Sequence, residues 1–241
     1  MTTFETSIGR KLDIDNLYPS FGPWAKAYVS RWQWDIAGGR MPMISWSPRV
    51  GSSGCATFAD IVAGKYDSQL AEQSIQVKDL SGTVWLRLFF EPDMDAQLCA
   101  NPTQSASLYV SAYRHIVNIF RSDGATNVRW VWAPGQSLYA SGLLPLWYPG
   151  ADVVDVVGED TYQATGAPKP FSADVCQIGP QMGKPFAITE TGALSAEQPT
   201  WLGNVKSACP GLTAFVYFDA PGTEGYDYDL TDIADFVAIG K

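Results

Sequence analysis

The chain has 241 residues, four cysteines, nine tryptophans and one histidine, and 16 basic against 25 acidic side chains give a formal charge of −9. Its 46% of apolar residues rule out a disordered chain, and its length suits one domain over residues 1–241, the size of an α/β barrel. The acidic balance argues against nucleic-acid phosphates and anionic membranes, which call for basic surfaces, no apolar run approaches the ~20 residues of a membrane span, and a neutral partner met by stacking aromatic faces stays open.

The opening Met1-Thr2-Thr3-Phe4-Glu5 lacks the charged and apolar regions of a signal peptide, and residues 6–10 read as the tail of a helix. Seven short runs rich in β-branched or aromatic residues follow, at 11–18, 41–46, 84–90, 128–132, 153–157, 185–189 and 213–218. Apolar character on successive residues suits strands buried on both faces. Their spacing is that of β-α units.

Between the runs, residues 105–121 place Leu108, Tyr109, Ala112, Ile116, Val117 and Phe120 at helical spacing, with Gly124 as a stop signal. Residues 69–79, 172–182, 199–208 and 231–239 also read as helices. Such alternation implies a (β/α)8 barrel or a doubly wound sheet. The glycine fingerprint of dinucleotide sites is absent, and no cofactor is expected. Seven strands leave a barrel whose first strand is short or missing at the N-terminus.

In such barrels the active site lies at the C-terminal strand ends. Those ends carry Tyr18, Trp46, Glu91, Trp132, Asp160 with Tyr162, Glu190 and Asp219. Glu91 and Glu190 each follow a strongly apolar run and approach each other across the barrel mouth. Paired carboxylates flanking a glycosidic bond are the machinery of sugar hydrolysis, one held protonated as general acid and the other ionised. His115 lies in the 105–121 helix and reads as packed or solvated. With one histidine and no C-x-x-C, a metal site is not expected. The acidic run at 226–229 fits a solvated loop better than a calcium site. The cysteine placement suggests Cys55 with Cys99 and Cys176 with Cys209, which would suit an oxidising, extracellular setting.

Several segments together resemble glycoside hydrolase family 26: Arg87-Leu88-Phe89-Phe90-Glu91, with Arg four residues before Glu; Tyr113-Arg114-His115-Ile116-Val117; Gly124-Ala125-Thr126-Asn127-Val128-Arg129-Trp130-Val131-Trp132-Ala133-Pro134; Tyr148-Pro149-Gly150; Gly158-Glu159-Asp160-Thr161-Tyr162; and Ile188-Thr189-Glu190-Thr191-Gly192. The strand at 39–46 resembles the family's earlier tryptophan strand. The resemblance runs from about Leu12 onward and implies a (β/α)8 barrel that hydrolyses β-linked polysaccharide with retention, most often β-1,4-mannan. It implies Glu91 as acid/base, Glu190 as nucleophile, Tyr162 as hydrogen-bond partner of the nucleophile and Arg87 beneath the site, holding a carboxylate ionised. Trp46 and Trp132 would line the cleft, and Phe90, Asp93, Asp160 and Asp219 complete the expected substrate-binding set. The implied partner is a polysaccharide, and the expected protein is secreted and monomeric. The chain departs from the family at Phe90 (commonly His), Asp93 (commonly Asn) and Ser47 (commonly His). These changes leave open other polymers, such as β-glucan, β-1,3-xylan or a bacterial exopolysaccharide, and a sugar-binding barrel without catalysis.

Overall fold

A computed structural model describes residues 2–51, 54–92, 94, 105–163, 174–220 and 228–239. The chain falls into two compact units, Leu12–Asp155 and Met1–Lys11 together with Val156–Lys241.

In the first unit, β1 (Ile14–Leu17) and β2 (Met41–Trp46) are followed by a small antiparallel hairpin of β3 (Arg49–Val50) and β4 (Gly54–Cys55), then by β5 (Val84–Leu88) and β6 (Val128–Trp132). Strands β1, β2, β5 and β6 pair in that order, all parallel. Every residue of β5 is buried, Arg87 included, because a parallel strand is covered on both faces. The helix Ala106–Ser122 buries Tyr109, Ala112, Tyr113, Ile116, Val117 and Phe120 along one stripe, and its Ser105 Oγ accepts from Leu108 N at 3.4 Å. Phe120 meets Trp130 edge-on at 5.3 Å and Trp46 at 6.3 Å. The neighbouring helix Asp67–Lys78 is tied down where β6 begins: Asn127 Nδ2 donates to Val77 O at 2.8 Å and to Leu80 O at 3.1 Å. His115 Nε2 lies 2.7 Å from Asp67 Oδ1, linking the two helices at the surface.

The second unit carries β7 (Val156–Gln163), β8 (Phe186–Ala193) and β9 (Leu212–Tyr217), parallel and in that order. Its first helix, Thr2–Ile8, packs Phe4 at 6.1 Å from Phe236 of the last helix, Ile233–Ile239. Phe236 in turn meets Phe215 of β9 at 6.3 Å. Cys176 and Cys209 form a disulfide with a Cα–Cα distance of 5.4 Å, as their placement suggested. Cys99, the expected partner of Cys55, and residues 226–227 of the acidic run lie outside the described residues.

The seven main strands fall on the seven apolar runs, with corrections at their ends. The fifth run starts later and reaches further than expected, over Val156–Gln163. Val153 and Val154 instead turn back, their N–H groups donating to Gly150 O at 3.2 Å. Strand β8 continues past Glu190 to Ala193, since all eight of its residues are buried. The helix expected over 172–182 is a short 3-10 turn, Val175–Gln177, followed by Ile178–Met182. That expected over 199–208 is two pieces, Gln198–Leu202 and Val205–Ala208, broken at Gly203 and Asn204, as a glycine inside a short helix favours.

Phe120 joins the long helix to the sheet. Phe120→Ala should cost about 3–5 kcal/mol, read as a lower urea midpoint.

Candidate active site

Glu91 stands just beyond β5, on a turn set by two left-handed residues, Phe89 (φ 49°) and Glu91 (φ 47°). For residues with a Cβ this conformation costs of order 1–3 kcal/mol each. Neighbouring strands hold it: Phe89 N donates to Trp46 O at 2.8 Å, and Glu91 N donates to Ala133 O at 2.9 Å. The turn sends Phe89 into the core, 5.6 Å from Phe58 and 6.0 Å from Phe21. Phe90 and the Glu91 side chain stay half-buried. Gly135 runs alongside this carboxyl group: a Cβ there would stand 3.4 Å from Glu91 Cγ and Oε1, in ordinary van der Waals contact.

Arg87, two residues before that turn, has no exposed surface. Its Nε donates to Ser45 Oγ at 2.8 Å, and Ser45 Oγ donates to Asn16 Oδ1 at 2.6 Å. Asn16 Nδ2 donates to Tyr18 OH at 2.8 Å. The guanidinium also lies 4.1 Å from the centre of the Phe90 ring and 5.6 Å from that of Tyr18. Ser45 and Asn16 were not singled out in the sequence; a hydroxyl inside an apolar strand, next to Trp46, was the available signal.

Trp46 and Trp132 are both fully buried, which corrects the expectation that they line a cleft. Trp46 stacks on Phe21 at 5.2 Å and meets Trp24 at 4.9 Å. Trp132 meets Tyr148 edge-on at 5.0 Å. Their faces are occupied by other side chains, so they support the strand ends from behind. Asp93 lies outside the described residues.

In the second unit, Glu190 sits inside β8, 8% exposed, and accepts a hydrogen bond from Tyr162 OH at 2.5 Å. Gly192, two residues on and on the same strand face, makes room for that tyrosine: a Cβ there would stand 3.0 Å from Tyr162 Cε1 and 2.9 Å from Tyr228 Cγ. Thr189 Oγ1 donates to Asp160 Oδ1 at 2.7 Å, and Trp201 Nε1 donates to Thr191 Oγ1 at 3.0 Å. Residues on both sides of Glu190 are thus fixed to their neighbours. Asp160 is itself buried. Asp219 Oδ1 accepts from Leu230 N at 2.8 Å.

Glu159, within the Gly158-Glu159-Asp160-Thr161-Tyr162 segment, carries no role legible in the sequence. It is fully buried at the irregularity where β7 and β8 shift register, and neither carboxyl oxygen has a hydrogen-bond partner among the described residues. Burial, with the nearby Asp160 charge, pushes its carboxyl up to about 9, so the group is a neutral acid at pH 7.

A family model, "Glycosyl hydrolase family 26", matches residues 55–231. The chain belongs to this family. It is 30% identical over 168 residues to Endoglucanase H of Acetivibrio thermocellus, a match covering 66% of this chain and 18% of that protein. It is 32% identical over 108 residues to a mannan endo-1,4-β-mannosidase of Thermothelomyces thermophilus, covering 42% and 20%. The chain therefore spans a minor part of either relative. Among solved structures, a family 26 β-mannanase from Bacteroides ovatus superposes with a TM-score of 0.66 at 21% identity, over 95% of this chain and 79% of the other. A Bacillus subtilis mannanase superposes with a TM-score of 0.72 at 19% identity, over 95% and 77%. These likenesses give the chain the α/β barrel fold class of family 26 mannanases.

Two outcomes follow from the second unit. The unfolded chain gives up the Glu159 proton near pH 4.5 and the folded one near pH 9, so this group's contribution to stability falls as pH rises between those values. Glu159→Gln, which does not titrate, should gain in urea midpoint over the parent progressively from pH 5 to pH 9. Gly192→Ala should displace the Tyr162 ring and lower turnover about tenfold, with the loss read at saturating substrate.

Proposed function

We propose that this protein is a retaining endo-β-glycanase acting on β-1,4-mannan by double displacement, with Glu91 as acid/base and Glu190 as nucleophile. The observation that carries this reading is the hydrogen bond from Tyr162 OH to Glu190, made inside the region that matches the family model and contains both glutamates. An O–H donor aimed at a carboxylate holds it in one orientation, as a nucleophile requires.

In the first step Glu91 gives its proton to the leaving glycosidic oxygen while a Glu190 oxygen bonds to the anomeric carbon. In the second, Glu91 takes a proton from water, the water oxygen bonds to that carbon, and Glu190 is released. In this reading Arg87 holds a carboxylate of the site ionised. Asp219 is read as a substrate contact, and the protein works outside the cell as a monomer.

Mannan is supported by the mannosidase among its relatives and by the mannanases that share its fold. A second reading, the same chemistry on β-glucan, is supported by the longer match to Endoglucanase H.

Glu91→Gln and Glu190→Gln should each lower turnover on polymer by about 10²–10⁴-fold with folding intact. The two are separable, because an aryl glycoside with a low-pKa phenol needs no proton to depart. Such a substrate should restore an initial burst of phenol to Glu91→Gln and none to Glu190→Gln. Proton NMR of the first product should show the β anomer. Near-parent activity in either variant, or a first-formed α anomer, would overturn the assignment. Side-by-side hydrolysis of mannan and mixed-linkage β-glucan decides between the two polymers.

A further inference from the structure

The exposed aromatic corner of the first unit has a construction that core packing does not require. Tyr18 stands one residue beyond β1 and keeps 38% of its surface exposed, yet its hydroxyl accepts from Asn16 Nδ2. Asn16 is bonded in turn to Ser45, and Ser45 to the fully buried Arg87. The Tyr18 ring also meets the half-buried Phe90 ring edge-on, 5.9 Å apart and 77° between planes. Arg87 lies against the Phe90 ring at 4.1 Å. A surface tyrosine is therefore fixed at its hydroxyl by a chain of three hydrogen bonds and at its ring edge by Phe90, the residue directly before Glu91.

Fixing an exposed ring has a use when something flat must rest on it, since ordering it beforehand removes that entropy cost from binding. An aromatic ring presents an apolar face together with a polar tip, which matches a sugar ring with its C–H face and rim of hydroxyls. The chain's net charge of −9 disfavours an anionic polymer and leaves a neutral one.

We propose that Tyr18 and Phe90 form an aromatic subsite for one neutral pyranose ring of the substrate, beside Glu91, and that Asn16 and Ser45 are positioning residues that hold Tyr18 at its angle. This rests on the reading that the ligand is a β-linked glycan.

The test measures binding and turnover separately. β-1,4-Mannohexaose and a mixed-linkage β-glucan hexasaccharide are titrated into the parent at low temperature, with tryptophan fluorescence as readout, and kcat and KM are measured on the matching polymers. Tyr18→Ala should weaken binding of the preferred oligosaccharide about tenfold, with the loss in KM rather than kcat. Tyr18→Phe and Asn16→Ala keep the ring and loosen it, and each should weaken binding roughly two- to threefold. Far-UV circular dichroism of all three variants should match the parent, which a general disturbance of the fold would not allow. Affinity within twofold of the parent in Tyr18→Ala overturns the subsite and leaves the hydrolase reading standing. Tyr18-dependent binding together with full activity in Glu91→Gln and Glu190→Gln overturns the catalytic assignment and leaves the subsite standing. Binding of neither oligosaccharide to the parent overturns both.

Discussion

A guanidinium with no exposed surface is the constraint on which the first unit turns. Arg87 cannot lose its charge and is costly to bury without partners. It is met by Ser45 on the neighbouring strand and by the faces of Phe90 and Tyr18. Each partner is thereby fixed. Ser45 holds Asn16, Asn16 holds Tyr18, and the Phe90 ring stays beside the guanidinium while the backbone turns. Glu91 follows directly, so the position of a half-buried carboxyl is tied to the satisfaction of one buried charge. The two left-handed residues are the cost of that turn, and hydrogen bonds to Trp46 O and Ala133 O keep it in place.

The second unit reaches a similar end by different means. Its β8 strand is buried along its whole length, so Glu190 is held by a rigid element rather than a loop. The tyrosine hydroxyl above it, the glycine that admits the tyrosine ring, and threonines on both sides engaged with Asp160 and Trp201 leave the carboxylate little rotational freedom. Preorganisation of this kind is what charge-stabilising catalysis requires. Glu159 is the exception: a buried acid without a hydrogen-bond partner among the described residues, which stays neutral at pH 7 rather than unfolding its strand.

Much of this was legible along the chain. Strands buried on both faces announce themselves as short apolar runs, and all seven fell where such runs stood. Glu91 and Glu190 were visible because charge directly after an apolar run is conspicuous. Strand ends were less so: β7 and β8 run through Glu159, Asp160 and Glu190, and a reading by hydropathy stops at the first carboxylate. Trp46 and Trp132 show the converse. A tryptophan at a strand end reads equally as platform or as packing, and only the neighbouring rings decide that both are packing.

The sequence alone determined the order of strands and helices, the acidic and aromatic character of the protein and the two candidate glutamates, and suggested the Cys176–Cys209 pair, because each depends on residue type and spacing. The tertiary structure decided which side chains touch: that Arg87 is held by Ser45 and two rings, that Tyr162 reaches Glu190, and that Gly192 is needed for space. Those facts depend on atoms brought together from distant parts of the chain, and no local pattern of residues encodes a distance between them.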